Sequence, residues 1–194
     1  LVGGVAYYPW NTVSTSNLPL SRPVRSDYVP YMEDKAVLGC VMLERISKMK
    51  DELYGRISAG LLEAEYGGLD AELAKPLLKG RFLVGMSGSF VKKRDPGSPL
   101  QFKEDDWKDY YTTGFVNGRL NIPELDLWMD VKAGQFLAGD RGARFSVSRF
   151  FNGVVLTAWY SVTGTSIFDD PFNKGYHDKG IAVSFPLRLF VGTD

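Results

Sequence analysis

The chain has 194 residues, with 23 basic and 23 acidic side chains, so it is long enough for one substantial domain and carries no charge excess that would favour nucleic acid. No basic run exceeds Lys92-Lys93-Arg94, which argues against a polybasic membrane-surface patch. The single cysteine, Cys40, excludes an intrachain disulfide and the usual zinc cluster, and its apolar surroundings mark it as a small buried hydrophobe. No run of about 18 apolar residues exists to form a transmembrane helix, although strands of a membrane barrel need only about 9–11 alternating residues.

Alternating segments read as strands. They begin with Val2–Tyr8, followed by a Pro- and Ser-rich stretch over residues 9–34. Next come Ala36–Ile46 and Leu53–Leu62, joined by the polar turn 47–52. Leu69–Ala74 is expected after a Tyr66-Gly67-Gly68 link, and Arg81–Val91 after Leu78-Lys79-Gly80. A long polar segment, 92–108, precedes Tyr110–Leu120 and Leu125–Phe136, which residues 121–124 connect. Ala143–Arg149 and Val154–Val162 flank Phe151-Asn152-Gly153, where Asn-Gly is a strong hairpin signal. A final loop over 163–178 leads into Gly180–Val191. This pattern predicts about ten strands and no amphipathic helix.

Two regularities set the fold expectation. The links at 47–52, 76–80, 121–124 and 150–153 are short, whereas those at 9–35, 92–108 and 163–178 are long, with 65–68 and 138–142 intermediate. In an up-and-down meander this sorts short turns to one side and longer loops to the other, as in outer-membrane barrels. The strands are also two-faced: Ile181, Val183, Phe185, Leu187 and Leu189 alternate with Ala182, Ser184, Pro186 and Arg188. Likewise Leu127, Met129, Val131 and Ala133 oppose Trp128, Asp130 and Lys132. The expectation is an all-β, up-and-down antiparallel transmembrane β-barrel over residues 1–194, with the 9–35 loop within it. It stands alone or as part of a larger protein. The abrupt opening in Leu1-Val2-Gly3-Gly4-Val5 and the non-aromatic final residue, Asp194, suggest one portion of a longer secreted chain. The alternative is a soluble, calycin-like β-barrel that turns Ile181, Val183, Phe185 and Leu187 into a dry interior holding a small apolar ligand.

The polar face collects Tyr54, Arg56, Arg81, Arg119, Trp128, Asp130, Lys132, Arg144 and Arg188 as candidate lumen-lining residues. Mixed charge with aromatic platforms suits a hydrated sugar polymer, and interlocked salt bridges filling a narrow barrel suit the pattern equally. His177 beside Asp178 hints at a hydrolytic triad, but no nucleophile-elbow motif accompanies it, and an exposed loop histidine is the expectation. Glu63, Glu65, Asp70 and Glu72 flank the Gly-Gly pair. They could act as a carboxylate pair on a sugar or gather calcium, yet their spacing matches no metal loop, and charges paired with arginines are expected. Gly139-Asp140-Arg141-Gly142 reads as a tight turn. No catalytic residue, cofactor or metal site is expected.

Several stretches resemble the YjbH/GfcD-like outer-membrane proteins linked to exopolysaccharide biosynthesis. They are Arg56–Glu63 running into Tyr66-Gly67-Gly68, Val91–Asp95, Gly134–Ala143 continuing into Ser148–Gly153, and Asp178–Ile181 leading to Ser184–Leu187. The resemblance implies a non-catalytic outer-membrane barrel of a Gram-negative bacterium, one portion of a longer, multi-barrel protein, acting as conduit or scaffold in exopolysaccharide or capsule secretion. It implies outer-membrane lipid, polysaccharide, and periplasmic and lipoprotein components of an export system as partners.

Overall fold

The computed structural model describes residues 1–7, 28–32, 36–98, 100–104, 108–164 and 177–186. Its elements are all β. They are β1 (Val2–Tyr7), β2 (Ala36–Lys48), β3 (Tyr54–Leu61), β4 (Tyr66–Leu77), β5 (Phe82–Lys93), β6 (Tyr111–Ile122), β7 (Leu127–Gln135), β8 (Arg141–Phe151), β9 (Val154–Thr163) and β10 (His177–Ser184). Short 3₁₀ turns at Val29–Met32, Lys50–Glu52, Leu78–Gly80 and Pro123–Leu125 are the only helical pieces among the described residues. The strands form one antiparallel sheet in strict sequence order from β1 to β10, and among the described residues no pairing joins β10 back to β1.

The loop asymmetry read from the sequence holds for the three long links, which all fall on one side of the meander, but the links at 62–65 and 136–140 on that side are as short as the turns on the other. The links at 49–53, 78–81, 123–126 and 152–153 alternate with longer ones at 8–35, 94–110 and 164–176 and with 62–65 and 136–140. The short turns use left-handed backbone to reverse direction. Asn152 and Gly153 have φ of 46° and 86°, the two-residue hairpin that Asn-Gly foretold. Leu78 and Lys79 adopt φ of 51° and 57° at the β4–β5 turn, an expensive conformation for residues with a Cβ.

Three boundaries differ from the sequence reading. Tyr66-Gly67-Gly68 opens β4 and is no turn. At Gly68 (φ 152°) a Cβ would collide with the Phe90 carbonyl, so glycine is there to let backbones approach. Arg141 and Gly142 begin β8, leaving Gly139 (φ 91°) to turn the chain. His177 and Asp178 belong to β10, where they pair with Val162 and Ser161. The part of the expected last strand beyond Pro186 lies outside the described residues.

The chain divides into two compact units, one comprising Leu1–Leu73, Ser87–Gly114 and Phe136–Gly139, the other Ala74–Met86, Phe115–Gln135 and Asp140–Asp194. In the first unit a small core joins Tyr66, Val91 and Tyr111, with Leu62 and Leu137 against it. The Tyr66 and Tyr111 rings meet edge to face at 5.3 Å.

The second unit displays the two-faced strand pattern most clearly. Register places Met129, Val147, Ala158 and Ile181 in one row, and Leu127, Arg149, Leu156 and Val183 in another. Apart from half-covered Leu127, these side chains are exposed. The opposite face carries the rows Trp128–Ser148–Thr157–Ala182 and Asp130–Ser146–Trp159–Gly180, all buried or half-buried. The apolar face is therefore the open one. Ile181, Val183 and Phe185 are 79%, 55% and 52% exposed, contrary to the dry-interior placement that a soluble ligand-binding barrel requires. Leu187 lies outside the described residues.

Candidate functional site

The polar face is built by alternation. Because successive side chains of a strand point to opposite faces, each hairpin fixes which polar residues meet across it. In the first unit, Arg56 on β3 is the hub. Its guanidinium reaches Asp70 Oδ1 at 2.6 Å, Glu72 Oε2 at 3.2 Å and Glu44 Oε2 at 3.3 Å. Ser58, fully buried, donates to Glu44 at 3.2 Å, while Ser89 donates to Asp70 Oδ2 at 2.8 Å and accepts a bond from Thr113. One hydrogen-bonded ladder thus runs from β2 through β3, β4 and β5 to β6. It uses Asp70 and Glu72 as partners of an arginine, as expected, and leaves them facing a cation rather than positioned as an acid and base. Tyr54, at the start of β3, carries the Lys48 ammonium 5.6 Å from its ring centre.

At the loop end of the same unit, Glu65, Lys93 and Arg94 are buried. The Arg94 guanidinium donates to the carbonyls of Leu38 at 3.0 Å and Glu63 at 2.5 Å, and its own carbonyl accepts the Tyr31 hydroxyl at 2.5 Å. Its backbone N–H binds the Glu65 carbonyl at 2.7 Å. Burial pulls the Arg94 guanidinium below its usual pKa. This staple ties the 62–65 link, the end of β5, β2 and the Val29–Met32 turn together. The Lys93 ammonium lies 5.8 Å from the Tyr66 ring centre.

In the second unit, Arg119 on β6 makes a forked pair with Asp130 on β7, at 2.6 and 3.2 Å, and lies 5.9 Å from the Trp128 ring centre. Lys132 sits 3.9 Å above the buried Phe115 ring, and the Arg144 guanidinium 5.1 Å from Trp159. Trp159 Nε1 donates to Asp178 Oδ2 at 3.2 Å. Arg81 is placed elsewhere, at the β4–β5 turn, where it pairs with Glu124. Glu124 is held below the usual carboxylate range by a hydrogen bond to its own backbone amide and then by Arg81. Arg188 lies outside the described residues. His177 is exposed, with Nδ1 bonded to the Tyr160 hydroxyl on the apolar face. Among the described residues no group of three or more His, Cys, Asp or Glu is arranged to hold a metal ion.

Seven of the nine candidate residues thus fall into three groups: Arg56 within a carboxylate ladder, Arg119, Trp128, Asp130, Lys132 and Arg144 within a cation–aromatic face, and Arg81 in a turn clip; Tyr54 meets Lys48 instead, and Arg188 lies outside the described residues. The sequence reading omitted Glu44, Phe115 and Trp159, and it considered Asp178 only as the loop neighbour of His177. The alternation Val155, Thr157, Trp159, Ser161 would have put Trp159 on the polar face, but its partners depend on register.

A family model described as "Exopolysaccharide biosynthesis protein YbjH" matches residues 3–194. This chain belongs to the YjbH family. It is 28% identical over 189 residues to a protein of Escherichia coli (strain K12) named "Uncharacterized lipoprotein YjbH", an overlap covering 93% of this chain and 25% of that relative. The chain therefore spans a quarter of the length of the curated relative it matches. No solved structure matches it. Of the stretches that resemble the YjbH family, Val91–Asp95 carries the buried Lys93 and Arg94, and Gly134–Ala143 forms the β7–β8 connection.

Proposed function

We propose that this YjbH-family chain is a transmembrane β-barrel, or a portion of one, in the outer membrane of a Gram-negative bacterium. In this reading it works without catalysis in the secretion or assembly of an exopolysaccharide, as scaffold or conduit. The observation that carries the reading is the inversion over β7–β10: rows that are apolar but for Arg149 stand open, while the Trp128 and Asp130 rows of the polar face are covered. In water, leaving such rows uncovered forfeits about 25 cal/mol for each Å² of apolar surface, whereas acyl chains accept them. Most strand lengths support it: β2 has 13 residues, β4, β5 and β6 have 12 each and β7, β8 and β9 have 9, 11 and 10, against the roughly 9–11 that a tilted spanning strand requires, whereas β1, β3 and β10 are shorter, at 6, 8 and 8. The short turns then face the periplasm and the long links the exterior.

The family description supplies the polysaccharide, and the name of the E. coli relative supports a cell-envelope setting. Lipid covers the open rows, while periplasmic and lipoprotein components of the export system meet the turns and loops. The Arg56 ladder fills the polar face of the first unit, which favours a scaffold or a narrow, hydrated passage over a wide pore. The test is deletion of the full-length gene followed by separate assay of extracellular and periplasmic polymer. The reading expects extracellular polymer to fall and to return on complementation. Unchanged extracellular polymer in the deletion strain would refute it.

A further inference from the structure

The open face of β7–β10 changes character along its strands. Below the aliphatic rows of Val183 and Ile181, counting towards the loop end, comes the row Phe145–Tyr160–Lys179, then Val162–His177, then Arg141 beside Gln135. Among the described residues of this face, no aspartate or glutamate stands in any row. Basic groups do, and they gather at one end. Arg141, His177 and Lys179 are all exposed towards the loops, against Arg149 alone near the short turns. The acids adjacent in sequence are placed differently: Asp178 belongs to the polar face and accepts the Trp159 indole, and half-buried Asp140 lies in the link before β8.

What these groups border suits an acyl lipid. Lys179 is the register partner of Tyr160, and Tyr160 of Phe145, so one cation and two aromatic rings share the row next to the aliphatic band. Amphipathic rings and long cationic stems settle where hydrocarbon gives way to headgroups. In the adjoining row the small Ala158 stands between Val147 and Ile181, a low point where an acyl chain finds contact on both sides. The Tyr160 hydroxyl occupies His177 Nδ1, which leaves Nε2 to meet a ligand. With strands about 4.8 Å apart and about 3.3 Å per residue, Arg141 and Lys179 are separated by about 10 Å sideways and about 13 Å lengthwise. That span suits an extended headgroup with more than one phosphate better than a single small one.

From this we infer that the loop end of the open face of β8–β10 binds a phosphorylated, acylated sugar lipid of the outer leaflet. Arg141, His177 and Lys179 hold the phosphates through charge-assisted hydrogen bonds, and an acyl chain runs over Ala158 between Val147 and Ile181. The inference rests on the outer-membrane reading above and deepens it, since it turns general lipid cover into one headgroup chemistry on named side chains.

The test uses the natural full-length protein in detergent micelles, with bound lipid counted by native mass spectrometry. Diphosphoryl lipid A is titrated beside its dephosphorylated form, phosphatidylglycerol and glucose 1-phosphate. The expected result is saturable binding of diphosphoryl lipid A, at least about tenfold tighter than any of the other three. Lys179→Gln and Arg141→Gln should each weaken it by about fivefold, and the double variant by about 25-fold, while Arg149→Gln at the other end of the face should leave it unchanged. Equal binding of the dephosphorylated lipid would overturn the phosphate contacts, and equal binding of phosphatidylglycerol would overturn the extended headgroup. Equal binding of glucose 1-phosphate would overturn the acyl contact, and full binding by the double variant would overturn the location. Heat-dependent gel mobility of the same samples separates the two levels and shows that each variant is folded. A wild type that shifts on heating but binds no diphosphoryl lipid A defeats this inference alone, whereas a wild type that shows no shift defeats the barrel reading together with it.

Discussion

Ile181 offers a sharp test of which solvent the apolar face meets. It lies in the row Met129–Val147–Ala158–Ile181, with Val183 two residues towards the short-turn end and His177 four residues towards the loop end. At roughly 3.3 Å per residue, His177 is about 13 Å away, which places Ile181 well inside the apolar band. The side chain is 79% exposed on this chain, so almost all of it is available to a surrounding medium. If that medium is lipid, Ile181→Arg removes about 2 kcal/mol of apolar transfer and adds about 2–3 kcal/mol for an arginine near mid-bilayer, a total of about 4–5 kcal/mol. If it is water, the same substitution at an exposed site falls within about 0.5 kcal/mol of wild type. Equilibrium unfolding in urea, followed by tryptophan fluorescence in phospholipid vesicles, measures the difference. Ala182→Ser on the opposite face serves as the control and should change little. An Ile181→Arg destabilisation below about 1 kcal/mol in vesicles would refute the lipid-facing assignment.

Three further outcomes follow from the geometry. Arg94→Met removes the donor for the Leu38 and Glu63 carbonyls and should cost about 2–4 kcal/mol in denaturant unfolding, with Arg94→Lys recovering part of it; a loss under about 0.5 kcal/mol would show that the staple contributes little. Leu78→Gly relieves a left-handed residue at an exposed turn and should raise stability by about 0.5–1 kcal/mol, measured by the shift in denaturant midpoint. At the Arg81–Glu124 clip the folded carboxyl has the lower pKa, so its contribution is full above the ordinary carboxylate pKa, about 4.3, and fades as pH falls through the lower folded value. Amide-exchange protection at Asn121, whose N–H binds the Arg81 carbonyl, should therefore drop on acidification in the wild type. Glu124→Gln should show little of that acid-dependent change.

The strand count, the meander order and the three long links on one side were legible because each rests on local chemistry, while the links at 62–65 and 136–140 proved as short as the turns opposite. Asn152-Gly153 dictates a tight hairpin, and alternation in Leu127–Ala133 dictates two faces. What periodicity alone could not supply was which face is covered; that needed the register, which places Met129, Val147, Ala158 and Ile181 side by side and open. The Tyr66-Gly67-Gly68 error has a physical source: paired glycines signal a turn locally, and only the neighbouring Phe90 carbonyl reveals them as a close approach of backbones. Arg56 and Arg144 looked equivalent as polar-face arginines. Their partners divide them, since Arg56 meets three carboxylates contributed by β2 and β4, whereas Arg144 faces Lys132 in register and rests on an indole. No local pattern encodes that difference, because it arises from pairings between strands.

The most direct measurement is gel mobility of the full-length natural protein in an outer-membrane fraction, compared with and without boiling. The account predicts a band in that fraction that migrates differently once heated, because a folded membrane barrel survives the unheated sample and unfolds on boiling. Recovery of the protein as a detergent-free monomer, with no band in the outer-membrane fraction, would contradict it.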